Sequence, residues 1–424
     1  MKRVISRLRH KLRIVGDRAL VRREAFMPLA LERRLVAAYR RRPRVVVPVT
    51  EGRQRLFVDV SVVAGNDAGT GIQRVVRGIA SHIAELADDR WDVRFVAADR
   101  ATPYRTINWK HSPRVEDSRT ISARPGDVFL GLDYSLDAIA SHWQQLAELR
   151  RDGARLWFLV HDLLPLQRPE WFSDQTSLRY RRWLRILASV ADGFLCNSSQ
   201  TETDLVEALR ARYGLTEDFR TCVLPMGADL ISSEDDGRRD LGSEQIPPGI
   251  AGSPFVLMVG TLEPRKGHEQ VLSAFEALWP TENTALVLVG RPGWKIERLQ
   301  SRIEGHPLLG KKLFWLNDAS DRTLERMYHD AQGVIVAALA EGFGLPLIEA
   351  LANGKPVLAR DLPVFRQHEQ HGVRFFPDHA TSGQIAQSIE GWLSEIRAGK
   401  IRVTSPGGSW KSTTGALLEA LSTG

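Results

Sequence analysis

Two glutamates, Glu341 and Glu349, stand on either side of the glycine-containing segment Gly342–Gly344. Carboxylates can accept hydrogen bonds from a ligand rich in hydroxyl groups, such as a sugar. The apolar run before Glu341 predicts a buried strand, and Pro346 suits the first residue of a helix that ends near Gly354 and carries Glu349 in its first turn. The N–H groups at such a helix start can bind phosphate. Two solvated acids would give the same pair, so the pair alone is weak evidence.

Adjacent cations, Arg265 and Lys266, follow another predicted strand, Phe255–Val259. Parallel strands present their carboxyl ends at one edge of a sheet, so these cations should face the same edge as Gly342–Gly344. A guanidinium binds phosphate oxygens in pairs and an ammonium acts as a point charge, which together suit a diphosphate. The alternative is a solvated basic loop.

The first half of the chain offers two more candidates. His161 follows the apolar strand Leu156–Val160, where ligands bind in open α/β sheets, although a buried histidine that pairs with its own loop is the alternative. Gly71 belongs to a glycine loop before a helix, but Arg74 stands where a dinucleotide fingerprint has its third glycine. This disfavours a Rossmann dehydrogenase and leaves an anion or sugar site.

Strands and helices alternate through most of the 424 residues, which predicts an α/β protein with two parallel-sheet domains. We expect an N-terminal extension over 1–50, a first domain over 51–228, a linker over 229–253 and a second domain over 254–404. A C-terminal helix in 405–424, with Trp410, is expected to return to the first domain.

The composition, with 43% hydrophobic and 26% charged residues, is that of a soluble globular protein. Two cysteines without metal-ligand spacing suggest a reducing, cytoplasmic compartment. No apolar run approaches the ~20 residues of a membrane span, and no signal peptide is expected.

Basic charge is concentrated at the N-terminus, where residues 1–44 carry 15 Lys and Arg against 3 Asp and Glu, a balance of +12 that leaves −5 for the remaining chain. Two apolar stripes with helical spacing occur there: Val4, Leu8, Leu12 and Val15, and then Leu31, Leu35, Val36 and Tyr39. The segment could bind an anionic membrane surface, pack on the body of the protein, or bind RNA nonspecifically. No nucleic-acid partner is expected, since aromatic stacking residues are missing.

Three segments together resemble the retaining, nucleotide-sugar-dependent glycosyltransferases of family 4: GTLEPRKGH (260–268), LVLVGRPGW (286–294) and EGFGLPLIEALANGKPVLA (341–359). HDLLPLQRPEWF (161–172) and TGIQRVVRGI (70–79) are similar to its mannosyltransferase-type members. The likeness covers about residues 55–424.

The resemblance implies a GT-B fold, in which two Rossmann-like domains face each other across a cleft and the second holds the donor. It implies that Arg265 and Lys266 bind the diphosphate, that Glu349 binds the ribose, and that Glu341 and His161 lie by the transferred hexose. The further donor contacts that it implies are Gly71, Gly260, Gly342, Phe343, Gly344 and Leu345.

The activity implied is transfer of a hexose with retention, with GDP-mannose the favoured donor and a UDP-sugar the alternative. The acceptor would be a saccharide, free or lipid-linked, in cell-surface polysaccharide or lipopolysaccharide synthesis. No metal or other cofactor is expected, since no DxD-like acidic pair is found. The enzyme would be cytoplasmic, peripheral on the inner face of the membrane. A soluble enzyme that makes a small glycoside and a noncatalytic scaffold with this fold remain alternatives.

Overall fold

The computed structural model describes residues 26–45, 52–109, 119–229, 249–250 and 252–423. They form two compact units. The first contains the residues up to Ala68, Ile79–Leu224 and the residues from Thr414 onwards, and the second contains Gly69–Gly78 and Pro225–Thr413. The expected stripe from Val4 to Val15 and most of the expected linker lie outside the described residues.

The first unit is built on a seven-stranded sheet with the strand order β3-β2-β1-β4-β5-β6-β7. Its strands are β1 (Gln54–Asp59), β2 (Trp91–Ala97), β3 (Arg105–Thr106), β4 (Val128–Gly131), β5 (Arg155–Val160), β6 (Gly193–Cys196) and β7 (Arg220–Val223). All neighbours are parallel except β3, which runs antiparallel to β2. The apolar runs of β4, β5 and β6 are buried almost throughout, because parallel strands are covered on both faces.

Helices surround this sheet. They are Leu29–Arg40, Ser61–Gly65, Leu136–Ser141, Trp143–Arg151, Leu164–Gln167, Asp174–Val190 and Ser199–Ala208, with a 3₁₀ turn at Pro169–Trp171 and a π-helical turn at Leu209–Tyr213. The short helix and the 3₁₀ turn occupy most of residues 163–171. Ser173 caps the start of the long helix, since its hydroxyl accepts a hydrogen bond from the Thr176 N–H at 3.1 Å.

The helix Leu29–Arg40 packs on the helix Asp174–Val190, and packing on the body of the protein is one of the three alternatives expected for the basic segment. Val36 is buried, whereas Leu31 is 44% exposed. Glu32 is fully buried and forms ion pairs with Arg181 at 2.7 Å and Arg212 at 2.9 Å. None of the described helices is long and apolar enough to cross a membrane.

The second unit is built on a six-stranded, all-parallel sheet with the strand order β10-β9-β8-β11-β12-β13. Its strands are β8 (Phe255–Val259), β9 (Ala285–Val289), β10 (Leu313–Leu316), β11 (Gly333–Val336), β12 (Val357–Arg360) and β13 (Val373–Phe376). Its helices are His268–Leu278, Glu297–Glu304, Asp321–Asp330, Leu345–Ala352, Pro363–Arg366 and Ser382–Arg397, with 3₁₀ turns at Pro264–Lys266 and Glu369–His371.

Two helices are shared between the units. The helix Trp410–Thr423 contributes its residues from Thr414 onwards to the first unit. Trp410 itself belongs to the second unit, where its N–H and its indole N–H both donate to Asp229 at 2.8 Å. The second unit also contains Gly69, Thr70 and the helix Gly71–Leu86 as far as Gly78, although the sequence pattern placed this segment in the first domain.

Candidate functional site

Two loops of the second unit meet at the carboxyl ends of the neighbouring strands β8 and β11. The carbonyl of Arg265 accepts a hydrogen bond from the Leu339 N–H at 2.7 Å. Gly267 has a φ of +76°, and a Cβ there would collide with the carbonyl oxygen of Ala337. A glycine is therefore required for the loop after β8 to come this close to the segment after β11.

These loops bring Arg265 and Lys266 against Glu341. The Lys266 ammonium donates to Glu341 Oε1, and the Arg265 guanidinium lies 3.2 Å from Oε2. A second carboxylate, Glu263, holds the other side of Arg265 at 2.7 Å and was missed in the sequence, although it lies inside the GTLEPRKGH segment. Two cations and two carboxylates thus form a compact, charge-balanced cluster.

Glu341 is ionised at neutral pH. Burial by itself raises the pKa of its carboxyl, but the charges of Lys266 and Arg265 outweigh that effect and hold the pKa below its usual value. An ionised carboxylate accepts hydrogen bonds and cannot donate them. Glu341 can therefore accept bonds from hydroxyl groups, and its charge reduces the free positive charge of the two cations.

A buried arginine, Arg360, forms a hydrogen bond with the segment between β11 and Glu341 and so helps to hold this segment in place. Its Nε donates to the carbonyl of Ala337 at 3.1 Å, and one of its terminal nitrogens donates to Gln270 at 2.6 Å. The side chain is fully buried and its guanidinium lies 5.0 Å from the centre of the Phe376 ring. No pattern in the sequence predicted this role, because Arg360 simply follows the apolar residues of a strand.

Gly344 starts the helix Leu345–Ala352 with a φ of +93°, and a Cβ at this position would collide with the Phe365 ring. Pro346 is the second helical residue rather than the first, and Gly354 follows the end of the helix with a φ of +68°. Glu349 consequently lies in the second turn, not in the first as expected. Phe343 is half-buried in the loop before the helix.

Glu349 is 4% exposed and is held by two partners. The Tyr328 hydroxyl donates to its Oε2 at 2.8 Å, and a terminal nitrogen of Arg74 lies 2.8 Å from its Oε1. Near the start of the segment that carries Arg74, a Cβ built on Gly71 would lie 3.6 Å from Leu345 Cδ1. The ion pair between Arg74 and Glu349 joins Gly69–Gly78 to the second unit.

His161 directly follows β5 in the first unit, and the other predicted site residues belong to the second. Its carbonyl accepts a hydrogen bond from Asn197 at 2.8 Å, and its ring meets the Tyr134 ring edge-on at 6.5 Å. Burial lowers the pKa of His161 to about 4, so the imidazole is neutral near pH 7. It can exchange hydrogen bonds with a ligand but does not supply a positive charge. Gly260 directly follows β8 and lies beside the Lys266 side chain.

Comparison with known proteins finds a family that matches part of the chain. Residues 244–400, which include the cluster and Glu349, match the family described as "Glycosyl transferases group 1". The serotype-specific mannosyltransferase WbdA of Escherichia coli is 36% identical to this protein over 80% of the chain. The match covers 43% of WbdA, so the chain spans less than half the length of that relative.

Two solved structures are similar to this chain in fold. Anabaena HepE in complex with UDP and glucose covers 88% of the chain, with a TM-score of 0.56 and 19% identity, and all of HepE is matched. WaaG, described as a glycosyltransferase involved in lipopolysaccharide biosynthesis, covers 86% with a TM-score of 0.53 and 16% identity, and 95% of it is matched. At these identities the likeness concerns the fold alone. It confirms the expected GT-B type with two parallel-sheet α/β domains.

Proposed function

We propose that this chain is a retaining glycosyltransferase that transfers a hexose from a nucleotide-sugar to a saccharide acceptor, free or lipid-linked. Mannose from GDP-mannose is the favoured donor, and the pathway is synthesis of cell-surface polysaccharide or lipopolysaccharide. The observation that carries the proposal is the cluster of Arg265, Lys266 and Glu341 beside the helix that starts at Gly344. The relatedness to WbdA, a named mannosyltransferase, supports the choice of mannose.

The cluster has the chemistry that a sugar diphosphate needs. Arg265 and Lys266 present positive charge to the diphosphate, and the N–H groups at the start of the helix Leu345–Ala352 add partial positive charge. Glu341 accepts hydrogen bonds from the hexose hydroxyls, and Glu349 accepts them from the ribose. These cations take the role that a metal ion would have. We therefore propose that the enzyme needs neither a metal nor another cofactor.

The reaction is a front-face displacement. The bond between the anomeric carbon and the diphosphate oxygen breaks, and its electron pair leaves with the diphosphate. The acceptor hydroxyl attacks the anomeric carbon from the same face, and its proton passes to the oxygen of the leaving phosphate. Arg265 and Lys266 stabilise the negative charge that develops on that phosphate, which is the main contribution of the protein. His161, neutral at pH 7, donates or accepts a hydrogen bond beside the hexose.

A ligand screen tests the donor. We expect GDP-mannose to stabilise the protein more than GDP-fucose, UDP-glucose or UDP-galactose do in a thermal-shift measurement. A ligand at 100 times its Kd stabilises a folded protein by about 2.7 kcal/mol. For a domain of this size, that corresponds to a rise in Tm of roughly 5–10 °C. Guanosine together with free mannose serves as the control, since it lacks the diphosphate that the cations would bind.

Three outcomes of the screen differ in meaning. A larger rise in Tm with a UDP-sugar than with GDP-mannose would identify the UDP-sugar as the donor, and the proposal of a glycosyltransferase would stand. Binding without transfer to any saccharide acceptor would favour a noncatalytic scaffold. The absence of a shift with every nucleotide-sugar would contradict the donor site itself.

The second partner that we propose is an anionic membrane surface, contacted through the basic residues of the segment 1–44. Deletion of residues 1–44 is not a suitable test, because the helix Leu29–Arg40 packs on the body and its removal would take away the buried Glu32. We therefore compare the full chain with a full-length variant in which every Lys and Arg of residues 1–25 is glutamine. We expect the unmodified chain to co-sediment with phosphatidylglycerol vesicles, and the variant to remain in the supernatant, since each basic residue near such a surface adds about 1 kcal/mol.

The control for vesicle binding replaces exposed arginines of the second unit, Arg298 and Arg326, by glutamine. This variant should sediment as the unmodified chain does, and higher salt should release both from the vesicles. Equal sedimentation of the 1–25 variant and the unmodified chain would contradict a membrane role for these residues.

A further inference from the structure

We propose that Arg74 is a positioning residue for the donor, which acts through Glu349 to create the site for the ribose hydroxyls. The inference rests on the proposed function, because it assumes that Glu349 accepts hydrogen bonds from the ribose. It adds a residue from the helix Gly71–Leu86 to the donor site.

The surroundings of Glu349 carry the inference. Arg74 lies 2.8 Å from Oε1 and the Tyr328 hydroxyl donates to Oε2 at 2.8 Å. An ionised carboxylate has about four lone-pair positions, two on each oxygen. One partner on each oxygen therefore leaves one position on each oxygen, which matches the two neighbouring hydroxyls of a ribose. The two partners also fix the plane of the carboxylate.

The charge of Arg74 is needed because the carboxylate is buried. Glu349 is 4% exposed, and Tyr328 is fully buried. A buried carboxylate without a cation is strongly destabilised in its charged form and takes up a proton or turns away. Either change would remove acceptor positions from the ribose site. Tyr328 alone does not prevent this, since its hydroxyl is neutral.

The segment that carries Arg74 is held in place independently of Glu349. One turn further along the same helix, Arg77 lies 3.3 Å from Asp321 at the start of the helix Asp321–Asp330. At the other end of the segment Gly71 is near Leu345, since a Cβ built on Gly71 would lie 3.6 Å from Leu345 Cδ1. Arg77 thus resembles Arg74 in type, helix and ion pairing, but its acid is not a candidate ligand of the donor. It provides a matched control.

The test compares the affinities of GDP and 2′,3′-dideoxy-GDP by calorimetry, since the two ligands differ only in the ribose hydroxyls. For the unmodified chain we expect GDP to bind about tenfold to a hundredfold more tightly, the range for hydrogen bonds to a charged group. In Arg74→Met, which keeps the length of the side chain, the ratio of the affinity for GDP to the affinity for 2′,3′-dideoxy-GDP should fall towards one. Arg74→Lys, which keeps the charge, should recover much of the ratio. Arg77→Met should leave it unchanged.

A purely structural role for Arg74 would weaken both ligands equally, so the ratio separates positioning from folding. If Arg74→Met does not fold by circular dichroism, Arg74→Gln carries the same expectation, because it can still donate a hydrogen bond but has no charge. In a Glu349→Gln background, Arg74→Met should cause no further loss of the ratio.

Two failures are distinguishable. A ratio that is large in the unmodified chain and unchanged in Arg74→Met would overturn the role of Arg74 and leave the proposed function in place. Tighter GDP binding in Arg74→Met would overturn it too, since Arg74 would then compete with the ribose. A ratio of one in the unmodified chain would overturn the ribose contact of Glu349 and, with it, this inference.

Discussion

Lys266→Ala should lower kcat by about 10²–10³-fold, the loss typical of one group that stabilises developing negative charge. The ammonium of Lys266 lies in the charge cluster after β8 and would face the departing diphosphate. The fold should survive the change, because Glu341 keeps Arg265 at 3.2 Å and is not left as an unpaired buried charge. Steady-state transfer kinetics with GDP-mannose and a saccharide acceptor measure the effect.

Lys312→Ala is the matched control for Lys266→Ala. Lys312 also lies in the second unit and its ammonium donates to the carbonyls of Trp279 at 3.1 Å and Glu282 at 2.9 Å, so its loss removes comparable contacts away from the cluster. Its kcat should remain near that of the unmodified chain. Near-normal transfer by Lys266→Ala, with the donor still bound, would contradict the assignment of Lys266 to the leaving group.

Glu341→Gln should impair transfer much more than nucleotide binding. A neutral amide accepts weaker hydrogen bonds from the hexose, and two bonds to a charged acceptor are together worth about 3 kcal/mol or more, which corresponds to about 10²-fold in kcat. The same change removes a negative charge beside Arg265 and Lys266. The affinity for GDP should therefore stay the same or rise. Transfer kinetics and calorimetry with GDP measure the two effects separately.

Glu276→Gln provides the comparison for Glu341→Gln. Glu276 lies on the helix His268–Leu278 of the same unit and pairs with Arg302 through Nε at 3.2 Å. The substitution Glu276→Gln should change neither kcat nor the affinity for GDP. A parallel fall of GDP affinity and kcat in Glu341→Gln would mean that Glu341 organises the diphosphate contacts rather than the hexose.

Local signals in the sequence were sufficient to predict the strand, loop and helix at the centre of the second unit. The apolar run, Gly344, Pro346 and Gly354 predicted a strand, a tight loop and a helix with a glycine after its end, and all three are present. The reason is that backbone requirements are local: a positive φ favours glycine, and a helix start tolerates proline. Arg265 and Lys266 were placed by topology, since β8 and β11 are neighbours in the sheet.

The partners of Glu349 could not be predicted in this way. In the sequence, Arg74 stood out only as a missing glycine, and Tyr328 carried no signal of this contact. Their convergence on one carboxylate depends on contacts between segments far apart in the chain, for which periodicity carries no information. Arg360 was missed for the same reason, because the carbonyl that it supports follows a different strand.

The division of the chain between the two units has a consequence for synthesis on the ribosome. The first unit includes the residues from Thr414 onwards, which are translated only after the whole of Pro225–Thr413. Domains generally fold as units during translation, from the N-terminus onwards. The first unit therefore lacks its last helical turns while the second unit is being synthesised. Thr414, which is fully buried in the folded protein, is the first of the residues that complete the first unit.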